Sequence, residues 1–279
     1  MSWKNLFWSG VAAALVYAPV MAEDTTLATQ AAPPTSKVVG VVDLRPSAHM
    51  ATGQKTTENT FELGYQFAPS RTVSVVQYLE TNVHNPDSAA DKGLNLTVYD
   101  AFLRTRLGKL VNLGDGADLG YQSRVYLPTT SASRDKGLIA TFRNYISLNK
   151  KFNDLVSVSL HELPIFGAYS KAGVGASANM IYENRVYLIT ALQITEKLSF
   201  ELPIMLHNTR YQTFEGAKNS ATWAANLWIY PELTYQLTDN VSVGAAMYTS
   251  NLVAPDLSGF TLSDGFKDSV VQLVLGATL

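Results

Sequence analysis

The chain has 279 residues, with 21 Lys+Arg set against 23 Asp+Glu, 16% charged residues and no Cys. So even a balance leaves no clustered positive excess of the kind nucleic acid requires. Without Cys there can be no disulfide, no thiolate zinc ligand, no thiol nucleophile and no lipidated N-terminal cysteine.

Residues 1–22 form a distinct opening. Lys4 gives a positive start, residues 6–16 are apolar (LFWSGVAAALV), and Pro19-Val20-Met21-Ala22 ends in small residues before Glu23-Asp24. This pattern predicts a secretory signal peptide cleaved after Ala22. The apolar run is shorter than the roughly 20 residues a spanning helix needs. Residues 23–36, with Ala31-Ala32-Pro33-Pro34-Thr35-Ser36, read as a flexible periplasmic leader. No later apolar run reaches helix-spanning length, so a membrane contact by residues 37–279 must use strands.

From residue 37 onward, segments of period-2 alternation follow one another with almost nothing of helical period between them. They are placed at 37–50, 58–68, 72–83, 94–107, 117–130, 138–151, 155–169, 176–194, 198–212, 222–237, 241–252 and 268–279. About twelve strands result, with ten or fourteen as alternatives. The pattern is plainest at 227–248. There Leu227, Ile229, Leu233, Tyr235 and Leu237 share one phase, and Asn226, Glu232, Thr234 and Gln236 the other. Thr238-Asp239-Asn240 then turns the chain, and Val241, Val243, Ala245 and Met247 resume the apolar phase.

The connections alternate in length. Short turns are expected at 69–71, 153–154, 195–197 and 238–240, with 109–116 a longer exception on the same side. Long polar loops are expected at 51–57, 84–93, 131–137, 170–175, 213–221 and 253–267. Such sorting places turns at one end of a sheet and loops at the other, with both chain ends on the turn side. Most segments exceed the 5 to 6 residues usual in globular strands and match a tilted membrane crossing. With no layer of helices to cover the apolar face, closure into a barrel satisfies every strand edge and leaves that face to lipid.

The last segment, Val271, Leu273, Leu275, Ala277 and Leu279, alternates to the end of the chain, and aromatics stand near strand ends at Phe67, Phe152, Tyr187, Trp223, Tyr235 and Phe266. On these residues the chain resembles the bacterial outer-membrane β-barrels, most closely the small porin-like class. In that class the last strand usually ends in Phe, where this chain has Leu279. The resemblance implies an all-β, transmembrane, antiparallel up-and-down barrel in the outer membrane of a Gram-negative bacterium, with both termini periplasmic. It also implies three kinds of partner: outer-membrane lipid, small hydrophilic solutes and the barrel-insertion machinery.

The polar phase, taken as inward, carries Asp43, Arg45, Glu62, Asp100, Arg104, Arg106, Asp118, Arg124, Arg143, Glu183, Arg185, Glu201 and Glu232. A wall so mixed in sign can pair with itself and stiffen the barrel, or can form a constriction that sorts solutes by charge. Twelve strands fall between a filled barrel of about 8 and an open porin of about 16 to 18, so a narrow pore is expected. Ser159, His161 and Glu162 superficially suggest a catalytic set. However, residues two apart on a strand are about 7 Å from each other, and Glu162 points to the opposite face. His207 has no second ligand at metal spacing. Asp256, Asp264 and Asp268 share a loop without calcium-ligand spacing. No cofactor, metal or catalytic residue is assigned.

The expected function is therefore a channel for passive diffusion of small hydrophilic solutes. The alternatives are a plugged structural or adhesion barrel and an outer-membrane enzyme. Two local features complete the reading. Glu162-Leu163-Pro164-Ile165 recurs as Glu201-Leu202-Pro203-Ile204, as a hairpin duplication would leave it. Pro203 and Pro231, unable to donate ladder hydrogen bonds, predict a bulge or unpaired patch between the ninth and tenth strands.

Overall fold

The structure, a computed structural model, describes residues 38–84, 95–216, 224–253 and 259–278, the side chains of 224 and 262–264 excepted. The expected signal peptide and leader, Trp223, Asp256, the side chain of Asp264 and Leu279 lie outside the described residues. Twelve wall positions run in chain order. They are β1 (Val38–His49), β2 (Lys55–Ala68), β3 (Arg71–His84), β4 in two segments (Asn95–Val98 and Phe102–Gly114), β5 (Ala117–Tyr126) and β6 (Leu138–Lys151). There follow β7 (Val156–Tyr169), β8 (Met180–Gln193), β9 (Leu198–Tyr211), β10 in two segments (Ala224–Ile229 and Glu232–Thr238), β11 (Val241–Tyr248) and β12 (Val270–Thr278).

Each strand pairs antiparallel with its neighbours in sequence, and β12 pairs back onto β1, with Leu44 opposite Leu275. The sheet is thus a closed twelve-strand barrel. Closure removes the unpaired edge that an open sheet of this length would present. The alternation sorts side chains cleanly. Leu63, Val75, Leu103, Leu160, Leu188 and Leu273 are exposed on the outside, and the opposite phase is buried within. An exterior this apolar, all round a closed sheet, is suited to hydrocarbon and not to water.

The two ends differ as expected, with one correction. Residues 109–116 are not a long connection: β4 continues to Gly114 and meets β5 at Ala117. Gly114, Asp115 and Gly116 all take positive φ, which makes the turn tight. The register shifts between Leu107 and Val111, where Lys109 also has positive φ, and this irregularity disguises the strand in the sequence. At the turn between β6 and β7, Asn153 Oδ1 accepts from the backbone N–H of Leu155 and Val156. The Lys151 ammonium, 2.7 Å from Asp154, holds that carboxyl below its usual range.

The long-loop end contains structure that strand periodicity could not announce. A one-turn helix α1 (Ser131–Asp135) is capped by Thr130, whose hydroxyl accepts from the Ser133 N–H. A small hairpin pairs Gly173–Val174 with Ser177–Ala178, and a second short helix, α2, spans Leu262–Lys267. Elements of one turn are too short to print a period.

The prolines act by subtraction. β10 is interrupted at Tyr230 and Pro231, yet β9 meets both of its segments in one register: Ile204 faces Ile229 above the break and Glu201 faces Glu232 below it. Between them the Tyr230 N–H still donates to the Pro203 carbonyl at 3.0 Å. The strand is interrupted and the ladder loses the hydrogen bonds the prolines cannot donate, but the register runs through with no bulge and no residue is inserted. The repeated tetrapeptide, by contrast, does not repeat its role. Glu162 is exposed on the outside of β7, whereas Glu201 is buried on the inside of β9. The two copies stand in opposite pleat phase, so they are not one structural unit duplicated.

Candidate functional site: the charged interior

The interior is built from the inward phase, and its charges fall into three groups. The first surrounds Arg45 on β1. Its Nε lies 3.0 Å from Asp43, and its Nη1 lies 2.9 Å from Glu232 of β10. The same Nη1 donates to the Tyr230 hydroxyl at 2.6 Å, and that hydroxyl donates to Gln272 of β12 at 2.6 Å. Thr234 adds a hydrogen bond to Glu232. Two carboxylates and a phenol thus surround one guanidinium, as a buried cation requires. The surroundings are acidic. Glu58 stands opposite Arg45 across β1 and β2 and opposite Glu80 across β2 and β3, and Tyr99 donates to Glu80 at 2.6 Å. Glu201 stands opposite Glu232, and its Oε2 is buried without a hydrogen-bond partner among the described residues.

The second group is a row of arginines. Arg104, Arg124 and Arg143 are directly opposite one another on β4, β5 and β6. Like charges in register repel. Aromatic faces interleave them here: Arg104 and Arg124 lie 5.4 and 5.3 Å from the Phe102 ring, Arg124 lies 4.5 Å from Tyr145, and Arg143 lies 4.2 Å from Tyr126. Glu62 of β2 anchors one end, 2.8 Å from Arg104 and 3.7 Å from Arg106, while accepting from Ser74 at 2.5 Å. Arg106 also donates to Gln122. At the other end, Nε and Nη1 of Arg143 find no acceptor among the described residues.

The third group lies on β8 and β9. Glu183 is 2.5 Å from Arg185 and 3.7 Å from Nδ1 of His207, whose ring packs against Trp228 at 5.3 Å.

Two of the thirteen inward-phase charges lie apart from these groups. Asp118 accepts from Asn149 near the turn end. Asp100 sits in the break of β4 and serves the loop above it, accepting from the Thr130 backbone and hydroxyl at 2.9 Å each and from Ser133. Tyr187, counted among the strand-end aromatics, is instead buried inside at mid-strand, because it shares the phase of Glu183 and Arg185. Ser159 and His161 are both buried inside, with His161 against Tyr187, and Glu162 is on the other side of the wall. Glu58, Glu80 and the interior rings of Trp228, Tyr230 and Tyr248 escaped the sequence reading. The even phase shared by Glu58 and Glu62 could have found the first of them.

The interior is narrow. Arg45, Arg104, Arg124 and Arg185 are only 1%, 2%, 1% and 0% exposed, and Leu163, Ile165 and Met205 are fully buried beside them. Arg106 is the exception at 38%. A lumen of large radius would leave such side chains in contact with water.

No family model matches the chain, and no curated protein matches it. Solved structures do. The chain is similar to a NanC porin at 10% identity and a TM-score of 0.53, over 85% of this chain and 98% of that one. A KdgM porin aligns over 85% of this chain and 98% of its own, at 7% identity and a TM-score of 0.49. The likeness to the first is one of fold, and it agrees with closure, strand count and an apolar exterior read from the chain itself. By fold, the chain is a small porin-like β-barrel of the outer-membrane type.

Proposed function

We propose that the chain is an outer-membrane channel for passive diffusion of small hydrophilic solutes, its narrow lumen lined by the thirteen inward-phase charges and by Glu58 and Glu80. One observation carries the reading. A closed barrel with an apolar skin encloses a continuous charged and hydrogen-bonding interior, in which Arg104, Arg124 and Arg143 stand side by side on one wall. A barrel needed only as a membrane plug is satisfied by interior charges that match each other. Like charge gathered on one side of a narrow lumen creates a field that acts on passing ions.

In this reading residues 1–22 direct export and are removed, and residues 23–36 and both ends of the barrel face the periplasm. Outer-membrane lipid covers the exterior after the insertion machinery has placed the barrel. A second reading, a non-conducting barrel, is favoured by the near-complete screening of the mid-barrel arginines from water. Purified, folded protein in a planar lipid bilayer separates the two. Small, ohmic conductance steps are expected, and their absence from correctly folded protein overturns the channel.

A further inference from the structure

Contact with water inside the barrel changes within a single pleat. Gln66, Thr72, Arg106 and Gln122 stand in register across β2, β3, β4 and β5, and all four are half-buried. One pleat toward the loop end, Ser74, Arg104, Arg124 and Arg143 stand in register across β3, β4, β5 and β6, and all four are buried. Arg106 and Arg104 are two residues apart on one strand, yet their side chains are 38% and 2% exposed. Water coming from the turn end thus reaches the Arg106 layer and thins at the arginine row.

The neighbours of Arg106 keep its charge at that boundary. Its Nε donates to Gln122 at 3.0 Å, which orients the guanidinium without neutralising it. Its Nη2 lies 3.7 Å from Glu62 Oε2, an oxygen that Arg104 approaches more closely, at 2.8 Å. The residues in register on either side, Thr72 and Gln122, are uncharged. Asp118, the inward-phase acid nearer the turn, is engaged by Asn149 at 2.8 Å.

We infer that Arg106 sets the charge preference of the lumen at its turn end, favouring anions over cations. An anion entering from that end meets this guanidinium in contact with water before it reaches the buried row. A hydrated cationic group exchanges one anion for the next, whereas Arg124 and Arg143 lie screened against aromatic faces. The inference rests on the channel reading and singles out one of its lining charges.

The test uses reversal potentials across a gradient of dilute potassium chloride, where screening is weak. Folding of each variant is verified by heat-modifiable gel migration. Arg106→Cys and Arg106→Gln are each expected to lower the anion-to-cation permeability ratio roughly fivefold, the factor for one unit charge at contact distance in water. Arg106→Lys is expected to preserve the ratio. Because the chain has no Cys, the introduced thiol is the only one present. A cationic trimethylammonium thiosulfonate reagent is expected to restore the ratio in Arg106→Cys, and an anionic sulfonate reagent to lower it further. Neither reagent is expected to act on Leu103→Cys, on the outside of the same strand. A structural role for Arg106 would not make the ratio follow the sign of a group added after folding. Conducting, folded variants whose ratio is unchanged, or reagents of opposite sign that move it alike, overturn this inference alone. So does an equal response from Leu103→Cys. Absence of conductance steps from the unaltered, folded chain overturns the channel reading and this inference with it.

Discussion

Two sectors of the interior handle arginine in opposite ways. From β9 round to β3, one arginine, Arg45, is surrounded by Asp43, Glu58, Glu80, Glu201 and Glu232, and it is held by direct ion pairs to Asp43 and Glu232. From β4 to β6, Arg104 and Arg106 pair with Glu62, and the rings of Phe102, Tyr145 and Tyr126 lie against Arg104, Arg124 and Arg143, which stand side by side in register. Negative charge therefore predominates in one wall and positive charge in the other, beyond the pairs that form within each. The difference separates two duties for the same residue type. In the acidic sector arginine completes a buried network, and in the basic sector it stands in a row of like charge interleaved by aromatic faces.

If that division is right, the largest effect follows from Arg45→Ala. It strands Asp43 and Glu232 in the interior, and removing one partner of a buried ion pair costs about 3–5 kcal/mol, reduced where lumen water reaches the remaining charges. A urea unfolding midpoint in lipid vesicles well below that of the unaltered chain is expected. A negligible shift would erase the distinction between the sectors. Arg143→Ala should behave oppositely, leaving no carboxylate stranded at hydrogen-bond distance and changing stability little. It removes one charge from the path, worth about 1 kcal/mol to a nearby ion in a water-like dielectric, or roughly fivefold in the anion-to-cation permeability ratio. Reversal potentials across a salt gradient measure this, and an unchanged ratio would place Arg143 outside the conduction path.

Smallest is the effect of Glu201→Gln. Relieving two carboxylates that stand directly opposite should stabilise the barrel by about 0.2–1 kcal/mol, because like charges across a ladder are unfavourable. A lower unfolding midpoint would instead show that Glu201 satisfies something in the acidic sector.

How much of this was legible follows from what period-2 patterning can and cannot encode. Alternation located all twelve strands, because a half-buried strand must sort its side chains by face. It could not reach β4 beyond Leu107, where the shift at Lys109 breaks the phase. Nor could it foresee which inward charges meet. Arg104, Arg124 and Arg143 come from separate strands, and their alignment depends on the register set by the turns. Asp100 has the correct phase for the interior, yet it stands where β4 is interrupted, and the loop claims it. The sequence Glu-Leu-Pro-Ile makes the limit explicit. Identical residues at 162–165 and 201–204 place a carboxylate outside the wall in one case and inside in the other. Their meaning resides in their offset from the turn, and not in the residues themselves.

The interruption at Pro231 has a geometric consequence of its own. The circumference of a closed barrel is fixed by the number of strands and by the stagger accumulated around it. An inserted residue between β9 and β10 would have altered that stagger and, with it, the radius of every layer. Here a proline omits a rung while Ile204 and Glu201 keep the same alignment with β10 on either side. Tyr230 is placed beside the gap, where its hydroxyl bridges Arg45 and Gln272. The wall gains a local irregularity, and the bore keeps the calibre dictated by twelve strands.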